Sequence, residues 1–375
     1  MKTLEQSEAV ETTPLSGDDS FVESKTSDKS LQMRILDPVN DPGWDHVVAL
    51  HRDAGCFYTS AWAKVLHQTY NHQPFYLQFF RRRRLAALVP LMEVRSLFTG
   101  RRGVCLPFSD TCEPLIFDPE AVGLVRDHLV RFAQERRWKH LEIRGGKFFQ
   151  GAPGSATKFY GHTLDLRSGA EALISRFDGP VRRAIRKANK SGLTVEVSNT
   201  RKAMLDFYLL HIRTRRRHGL PPQPLPFFLN IAEEIMKADL GFVALAKNRT
   251  VPVAAAVFFY SGEAALFKFG ASDERSHELR GNNLVMWEGI KGLCEKGVRT
   301  LHFGRTSFDN DGLRRFKLGW DTEEETIDYF RLDPSGRQCL PPAQSQDSGL
   351  HKKVFGRLPL MFNRLAGSMI YPHLD

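Results

Sequence analysis

Short apolar runs are separated by polar turns in the first half, and other segments repeat apolar residues at helical spacing. The β-rich run 74–80 and the apolar run 85–94 predict two strands joined by an arginine-rich turn, and 139–144 is predicted as a further strand. The helical spacing predicts helices at 61–69 and 120–136. Strands and helices that alternate in this way indicate a mixed α/β (α+β) layered fold.

The second half continues this alternation, with more helix and with a proline-rich interruption at 219–226 that excludes regular structure. Neighbouring strands follow one another along the chain, which predicts a mixed sheet with helices on its faces. The predicted helices are 181–190, 201–217, 227–237 and 283–296, and the predicted strands are 194–197, 242–247, 251–260, 264–270, 298–303 and 326–332.

Changes in composition divide the chain into four segments. Residues 1–32 are acidic and poor in aromatic residues, which predicts a disordered tail. A glycine-rich break precedes the second half, and we place the boundary so that one domain covers 33–165 and the other 166–335. Residues 336–375 are expected to form a linker and an amphipathic helix.

Composition and charge exclude several classes of protein. The 375 residues carry a formal net charge of +10, which fits a phosphorylated ligand as well as a solvated surface. No apolar run reaches the ~20 residues of a membrane-spanning helix, and no apolar segment follows the N-terminal charges as in a secretory leader. The five cysteines are scattered, without zinc-binding spacing. We therefore expect a cytoplasmic, reduced protein without a metal.

Common catalytic motifs are absent from the sequence. Neither GxGxxG nor GxxxxGK[ST] occurs, so nothing supports a dinucleotide-binding fold or a P-loop. GxSxG is also missing, which removes the usual hydrolase nucleophile. Because no nucleophile–base pair is recognisable, direct transfer in a ternary complex is favoured over a covalent enzyme intermediate.

Several segments, taken in their order and spacing, resemble the FemAB-like branch of the GNAT acyltransferase superfamily. They extend over most of the chain from about 57 to 330. They are 279–284 (LRGNNL), 301–306 (LHFGRT), 312–320 (GLRRFKLGW, similar to GLxRFKxxWG), 217–221 with 227–228 (similar to RHGxP…FF), and 90–91 with 106–108 (where the branch has LPL…SLPF).

This resemblance implies two GNAT-like domains in tandem, the second of which carries most of the active site. Members of the branch transfer amino acids from aminoacyl-tRNA to peptidoglycan precursors, or acyl groups from coenzyme A. It therefore implies no tightly bound cofactor and an acyl-CoA co-substrate, which we favour, or an aminoacyl-tRNA. The loop that usually holds the coenzyme A pyrophosphate, RxxGxG, is reduced here to 280–283 without a second glycine.

Lys317 and His218 are the catalytic candidates. FemAB enzymes place a functional lysine at the position of Lys317, and a fixed positive charge stabilises the oxyanion of acyl transfer. His218, beside the proline-rich segment, would act as general base on the acceptor amine. A surface lysine and a structural histidine are the alternatives, and a water molecule is the alternative base.

Donor-binding candidates occur in two segments. Arg280, Asn282 and Asn283 precede a helix N-terminus, where GNAT enzymes hold pyrophosphate on backbone amides. Gly304 and Arg305 follow an apolar strand, where a glycine permits close approach and an arginine can bind a phosphate. Helix capping by Asn282 and a solvated arginine at a strand end are the alternatives.

Four residues are assigned to the acceptor site. Tyr208 and His211 share one face of the helix at 201–217, where core packing is the alternative. Arg217 and Trp320 belong to the segments that carry the resemblance.

The C-terminal segment 352–370 places apolar residues near one face and basic residues around them, and Pro359 opens a helix. This pattern is typical of a helix that lies on an anionic membrane surface, and docking on the protein body is the alternative. Nothing indicates DNA as a partner. The basic helix 181–190 lacks aromatic residues for base stacking, so the sequence does not support tRNA binding, although the fold allows it.

The sequence as a whole predicts a cytoplasmic N-acyltransferase, peripheral to the inner face of the membrane. It would move an acyl group to an amine of a sugar or of a cell-envelope or exopolysaccharide precursor. One alternative is an aminoacyl-tRNA-dependent transferase of the peptidoglycan type. The other is a catalytically idle, membrane-associated binding protein.

Overall fold

The computed structural model describes residues 31–335, apart from 42, 147 and 149–156, and residues 349–374. The predicted tail, except its last two residues, and the predicted linker after 335 lie outside the described residues. The tail prediction is corrected at its end, because Leu31 and Gln32 already belong to a strand.

Short helices and antiparallel strands make up the first half: β1 (Leu31–Leu36), α1 (Trp44–Val48), α2 (Ser60–Tyr70), β2 (Gln73–Arg81), β3 (Arg84–Ser96), β4 (Gly100–Val104), β5 (Leu115–Ile116), α3 (Val122–Glu135), β6 (Leu141–Arg144) and β7 (Thr157–Asp165). Helix α2 is capped by Thr59, whose Oγ1 accepts from the Trp62 amide (3.5 Å). The predicted β2–β3 hairpin turns at Arg82 and Arg83, which both have positive φ.

Longer helices alternate with strands in the second half: α4 (Gly169–Arg176), α5 (Gly179–Lys190), β8 (Leu193–Ser198), α6 (Arg201–Arg217), α7 (Leu225–Asn230), β9 (Gly241–Asn248), β10 (Val251–Ser261), β11 (Ala264–Ser272), α8 (Gly281–Glu295), β12 (Thr300–His302), β13 (Thr306–Ser307), α9 (Asp311–Leu318), β14 (Glu323–Leu332), α10 (Gly349–Arg357) and α11 (Leu360–Ile370). A π-helical turn continues α7. The single C-terminal helix predicted from the sequence is two helices, because Pro359 cannot continue α10.

One mixed sheet runs through both halves, which confirms the predicted mixed α/β class. Its strand order is β1-β2-β3-β4-β6-β14-β7-β12-β11-β10-β9-β8. Strand β14 joins the halves, because its first part pairs with β7 and its last residues pair with β6. The division at 165/166 stays a prediction, since the sheet continues across it.

Two cores lie on the faces of this sheet. The larger one contains much of the first half together with α6 and α7 of the second, and within it Trp62 contacts both Phe227 and Phe259. The smaller one lies under α5 and α8 and contains Phe258, Trp287 and Trp320. The packing of α7 against α2 therefore ties the second half to the first.

The sheet opens between β11 and β12. These parallel strands pair only over Ala264–Leu266 and Thr300–His302 and then separate. A bulge in β11 lies just beyond this point, where Phe258 pairs with Phe267 and Val257 with Phe269, so that Lys268 is the extra residue. Bulges of this kind redirect a side chain out of the regular ladder.

Candidate active site

Lys317 lies on α9 at the opening between β11 and β12. Asn310 caps this helix, its Oδ1 accepting from the Leu313 amide (3.1 Å). The Lys317 side chain is buried, and its Nζ donates to the carbonyl oxygens of Gly304 (2.7 Å) and Arg305 (3.2 Å). The structure thus brings the predicted catalytic lysine together with two of the predicted donor-binding residues.

The charge state of Lys317 follows from its surroundings. Burial lowers its pKa to about 8, although the nearby carboxylate of Asp110 acts in the opposite direction. The amine is therefore mostly an ammonium at neutral pH. An ammonium has three N–H donors, and the two carbonyls accept from it, so one remains for a developing oxyanion.

Gly304, whose carbonyl oxygen accepts from Lys317, lies close to Asp110 of the first half. Its φ of +72° is the left-handed conformation that glycine adopts without strain. A Cβ atom at this position would lie 3.3 Å from Oδ1 of Asp110. The backbone here therefore fits tightly between α9 and a loop of the first half.

That loop, residues 105–112, brings Asp110 into the opening. Its Oδ2 accepts from Nζ of Lys268 (2.7 Å), and its Oδ1 accepts from the Arg305 amide (3.1 Å). Burial would raise the pKa of Asp110, but Lys268 and Arg305 outweigh it and hold the pKa well below its usual range. The first half thus contributes an ionised carboxylate to a site whose cations, Lys268, Arg305 and Lys317, come from the second half.

The side chain of Arg305 is engaged within the protein. Its Nη1 donates to the hydroxyl of Tyr329 (2.7 Å), which in turn donates to the carbonyl oxygen of Asp110 (2.7 Å). Its guanidinium lies over the rings of Phe159 and Tyr329, 4.8 and 5.2 Å from their centroids. Arg305 therefore orders this part of the site, and its predicted role toward a donor phosphate stays a prediction.

Two histidines lie near Lys317. Nδ1 of His302 accepts from the Gly304 amide (3.0 Å), so a neutral ring carries its proton on Nε2, which is buried without a partner among the described residues. Burial lowers the pKa of His302 to about 4, although the negative charge of Asp110 acts to raise it. His162 contacts Glu324 through Nε2 (3.0 Å) and leaves Nδ1 buried and unpaired within the described part. The neutral His302 ring thus presents an unused N–H donor among the described residues, and the neutral His162 ring presents an unused nitrogen acceptor.

The other predicted donor-binding residues form a separate cavity of about 130 Å³ at the N-terminus of α8. Arg280 caps the helix with a φ of +61°, which places a charged residue where this turn would usually require glycine. Nδ2 of Asn282 donates to Oγ of Ser272 (3.3 Å). Arg280, Asn282 and Asn283 line the cavity together with Ser272 and His277.

Arg217 belongs to this second cluster rather than to an acceptor groove. Its Nη1 donates to the carbonyl oxygen of Ser272 (3.4 Å) and to Nε2 of His277 (3.3 Å). His218 follows at the end of α6 with much of its side chain exposed; desolvation of the part of the ring that faces the protein, together with the charge of Arg217, lowers its pKa. No contact among the described residues joins His218 to Lys317, so its role as base stays a prediction.

The remaining acceptor candidates are dispersed. His211 is buried, its Nε2 bonded to Oε1 of Gln223 (2.9 Å), and burial lowers its pKa to about 3. Trp320 is fully buried against Phe177 in the smaller core. Neither side chain has a surface that an acceptor could reach, because packing encloses both. Tyr208 is also buried, with the Arg364 guanidinium 5.6 Å from its ring.

Sequence reasoning missed Asp110, Lys268, His162 and His302. For Lys268 a signal was present, since a single charge inside the apolar segment 264–270 is unusual for a buried strand. Asp110 gave no such signal, because its partners lie 158 and 195 residues away in the chain. Within the described part, no group of histidine, cysteine or acidic side chains could hold a metal ion.

Comparisons with known proteins agree with this geometry. Residues 175–322 match the family described as "Acetyltransferase (GNAT) domain". The fold is similar to FemX (15% identity, TM-score 0.63, covering 79% of this chain and 96% of that one). It is also similar to a tandem GNAT protein from the clavulanic acid biosynthesis pathway (10%, 0.53, 81% and 99%) and to L-PGS from Bacillus licheniformis (12%, 0.52, 85% and 98%).

None of the curated proteins that were compared matches the sequence. The similarity to solved structures reaches over both halves, which confirms the tandem GNAT-like arrangement. Residues 175–322 therefore match a GNAT acetyltransferase domain, in a chain whose overall fold is similar to that of FemX.

Proposed function

We propose that this acyltransferase moves an acyl group from acyl-CoA to an amine of a sugar or of a cell-envelope or exopolysaccharide precursor. The observation that carries the proposal is that strand β11 connects the Lys317 site with the cavity at the N-terminus of α8. Lys268, in the middle of this strand, contacts Asp110 of the Lys317 site, and Ser272 at the end of the strand lines the α8 cavity. The two residues are four positions apart, which corresponds to ~13 Å along a strand, so one extended donor molecule would reach both.

In this proposal the α8 cavity binds the diphosphate of coenzyme A. First-turn amides of a helix point outward and carry partial positive charge, which favours a phosphate. Arg280 is exposed at the rim and adds a full charge. The second glycine of the usual loop is missing, but the turn still forms because Arg280 itself adopts the left-handed conformation.

The chemistry would take place beside Lys317. The acceptor nitrogen attacks the thioester carbon, and the oxygen becomes an oxyanion that the ammonium stabilises. The carbon–sulfur bond then breaks, the thiolate leaves and is protonated, and the nitrogen loses a proton to a base. His218 or a water molecule would serve as that base.

Calorimetric titration with acetyl-CoA and longer acyl-CoA thioesters tests the donor. We expect micromolar binding that Arg280→Ala weakens about tenfold, because a charge-assisted hydrogen bond is lost. Arg275→Ala is the matched control, since Arg275 lies exposed on the preceding turn and contacts Asp273. A folded protein that binds none of these thioesters would contradict the proposal.

One observation favours an aminoacyl-tRNA donor as the second candidate. Helix α5 exposes Arg183, Arg186, Lys187 and Lys190, and none of these has an acidic partner among the described residues. Such a face could contact RNA phosphates, and its binding would weaken steeply with salt. Filter binding of aminoacyl-tRNA across a salt series distinguishes this donor from acyl-CoA.

The proposal includes a location in the cytoplasm with contact between residues 352–370 and the inner membrane surface. No helix in the described part is long and apolar enough to cross a membrane. A lipid-linked acceptor would explain why an acyltransferase uses such a contact.

A further inference from the structure

Helix α11 turns its large apolar side chains away from the protein. Its buried residues are Asn363 and Gly367. A Cβ atom at Gly367 would overlap the carbonyl oxygen of Pro222, so the small residue permits close packing on this side. On the outer side, Met361, Phe362, Leu365 and Met369 are between 51% and 69% exposed. The usual arrangement of an amphipathic surface helix is thus reversed.

The apolar surface continues from α11 onto α6 and α7. A groove of about 440 Å³ lies between these helices and is lined by Tyr208, Leu225, Pro226, Phe362 and Leu365, among others. Leu205 and Leu209 extend it along α6, where both are exposed one helical turn apart. A contiguous patch of this kind marks a binding surface, unlike single exposed apolar residues.

A second exposed apolar element lies beside the C-terminus of this helix. Leu97 and Phe98 form the tip of the β3–β4 hairpin and are 93% and 82% exposed. The hairpin is tied to the C-terminal segment, because Nη2 of Arg102 donates to the His373 carbonyl (2.8 Å) and the Phe98 ring lies 5.0 Å from the His373 ring. Helix and hairpin tip are therefore held together.

The charged side chains described on the C-terminal helices are all basic, and a further cation lies beside the hairpin tip. Residues 349–374 contain no aspartate or glutamate. Lys353, Arg357 and Arg364 are exposed there, and Arg101 is exposed next to the hairpin tip. None of these four cations pairs with an acidic side chain in the part of the chain that the structure describes. The apolar surface is thus bordered by uncompensated positive charge.

We infer that helix α11 and the hairpin tip form one docking surface for a bilayer of anionic phospholipids. The docking surface consists of Leu97, Phe98, Met361, Phe362, Leu365 and Met369. The apolar side chains enter the boundary between headgroups and acyl chains, and the cations contact lipid phosphates. The inference rests on the proposed function, whose membrane contact at 352–370 it assigns to the outer face of α11 and extends to the hairpin tip.

Co-sedimentation of the full chain with vesicles tests the docking surface. We expect binding to phosphatidylcholine vesicles that contain phosphatidylglycerol, and little binding to phosphatidylcholine alone. Leu97→Ser/Phe98→Ser and Phe362→Ser/Leu365→Ser should each lower the vesicle partition about tenfold, and Arg357→Glu/Arg364→Glu should do the same. Leu50→Ser is the matched control, because Leu50 is 64% exposed and belongs to neither element.

Two results would overturn the inference. One is a folded, monomeric protein that does not bind anionic vesicles. The other is a concentration-dependent oligomer that these serine substitutions disperse while vesicle binding is absent, which would make the surface an interface between copies. Acyl-CoA titration of the same samples distinguishes the failure of the docking surface from the failure of the proposed donor. Vesicle binding without acyl-CoA binding would contradict the proposed donor and leave the docking surface supported.

Discussion

At the scale of single residues, the surroundings of Lys317 would suit its proposed role in acyl transfer. Two backbone carbonyls orient the ammonium, and no carboxylate forms a direct ion pair with it within the described part. A direct carboxylate partner would neutralise the charge that a developing oxyanion needs. A buried ammonium without a direct carboxylate partner would therefore be suited to stabilising charge that appears only in the transition state.

Lys317→Met tests this role, because the methionine retains the apolar stem and removes the charge. We expect kcat for acyl transfer to fall about 10²–10³-fold, as for loss of one oxyanion donor, with little change in acyl-CoA affinity. Steady-state kinetics and calorimetry measure the two effects. Arg315→Met on the exposed face of α9 is the control and should retain activity. Wild-type kcat in Lys317→Met would refute the role.

The same residue predicts a pH dependence. Burial lowers the pKa of Lys317 to about 8, so the fraction of ammonium decreases as pH rises through this value. If the ammonium is the active form, kcat should decrease about tenfold per pH unit above it. The decrease should disappear from the residual activity of Lys317→Met. A rate that stays constant or rises between pH 7 and 10 in the wild type would exclude a required ammonium.

At the scale of elements, the loop 105–112 is the part of the first half that completes the site. Leu106 and Phe108 both have positive φ, which is unusual for such residues and indicates that surrounding contacts hold the loop in place. Lys268 supplies two of these contacts, because its Nζ donates to the Phe108 carbonyl (2.6 Å) and to Asp110. The loop and the β11 bulge therefore depend on each other.

Asp110→Asn tests this dependence. The side-chain oxygen of the asparagine can still accept from the backbone amide of Arg305, but Lys268 loses its carboxylate partner. The side chains at positions 110 and 268 remain largely buried. We expect the free energy of unfolding to fall by about 3 kcal/mol, the magnitude for breaking a buried pair. Urea denaturation measures it. Asp206→Asn is the control, since its pair with the exposed Lys202 should contribute less than about 1 kcal/mol.

The double variant Asp110→Asn/Lys268→Met gives a second check. Removing both charges eliminates the unpaired cation, so a large part of the lost stability should return. If the double variant is as unstable as the sum of the single ones, the two residues act independently, and the interpretation of the loop as an electrostatic partner of the bulge is wrong.

These elements also show how much of the fold and of the candidate site could be predicted from the sequence. Periodicity alone predicted α6 at 201–217, which is the observed helix, and the β2–β3 and β9–β10 hairpins, because local spacing determines them. The resemblance pointed to Lys317, Gly304 and Arg305 as site residues, but only the structure shows that Lys317 contacts the other two. The Asp110–Lys268 pair could not be predicted, since a long-range contact and a one-residue bulge leave no periodic signal. The exposed tip of Leu97 and Phe98 was missed because periodicity describes elements and not their turns.

At the scale of the whole molecule, the two halves share one sheet, one of the two cores and one site. Strand β14 pairs with β7 over Glu323–Tyr329 and with β6 over Tyr329–Leu332, so that Tyr329 pairs on both sides. The larger core contains side chains of both halves, and Asp110 connects the first half to the site. Separating the halves would expose this core and break the ladder. We therefore expect the chain to unfold as one cooperative unit, although its length would allow two domains.

Tryptophan fluorescence can follow each half separately. Trp44, Trp62 and Trp138 lie in the first half, and Trp287 and Trp320 lie in the second. Trp287→Phe/Trp320→Phe leaves reporters only in the first half, and the complementary triple variant leaves them only in the second. In each variant the urea midpoint from fluorescence should coincide with that from far-UV circular dichroism, because neither half stays folded alone. A fluorescence midpoint that separates from the circular dichroism midpoint would show that one half unfolds while the other persists. The shared strand and core would then contribute too little to couple the halves.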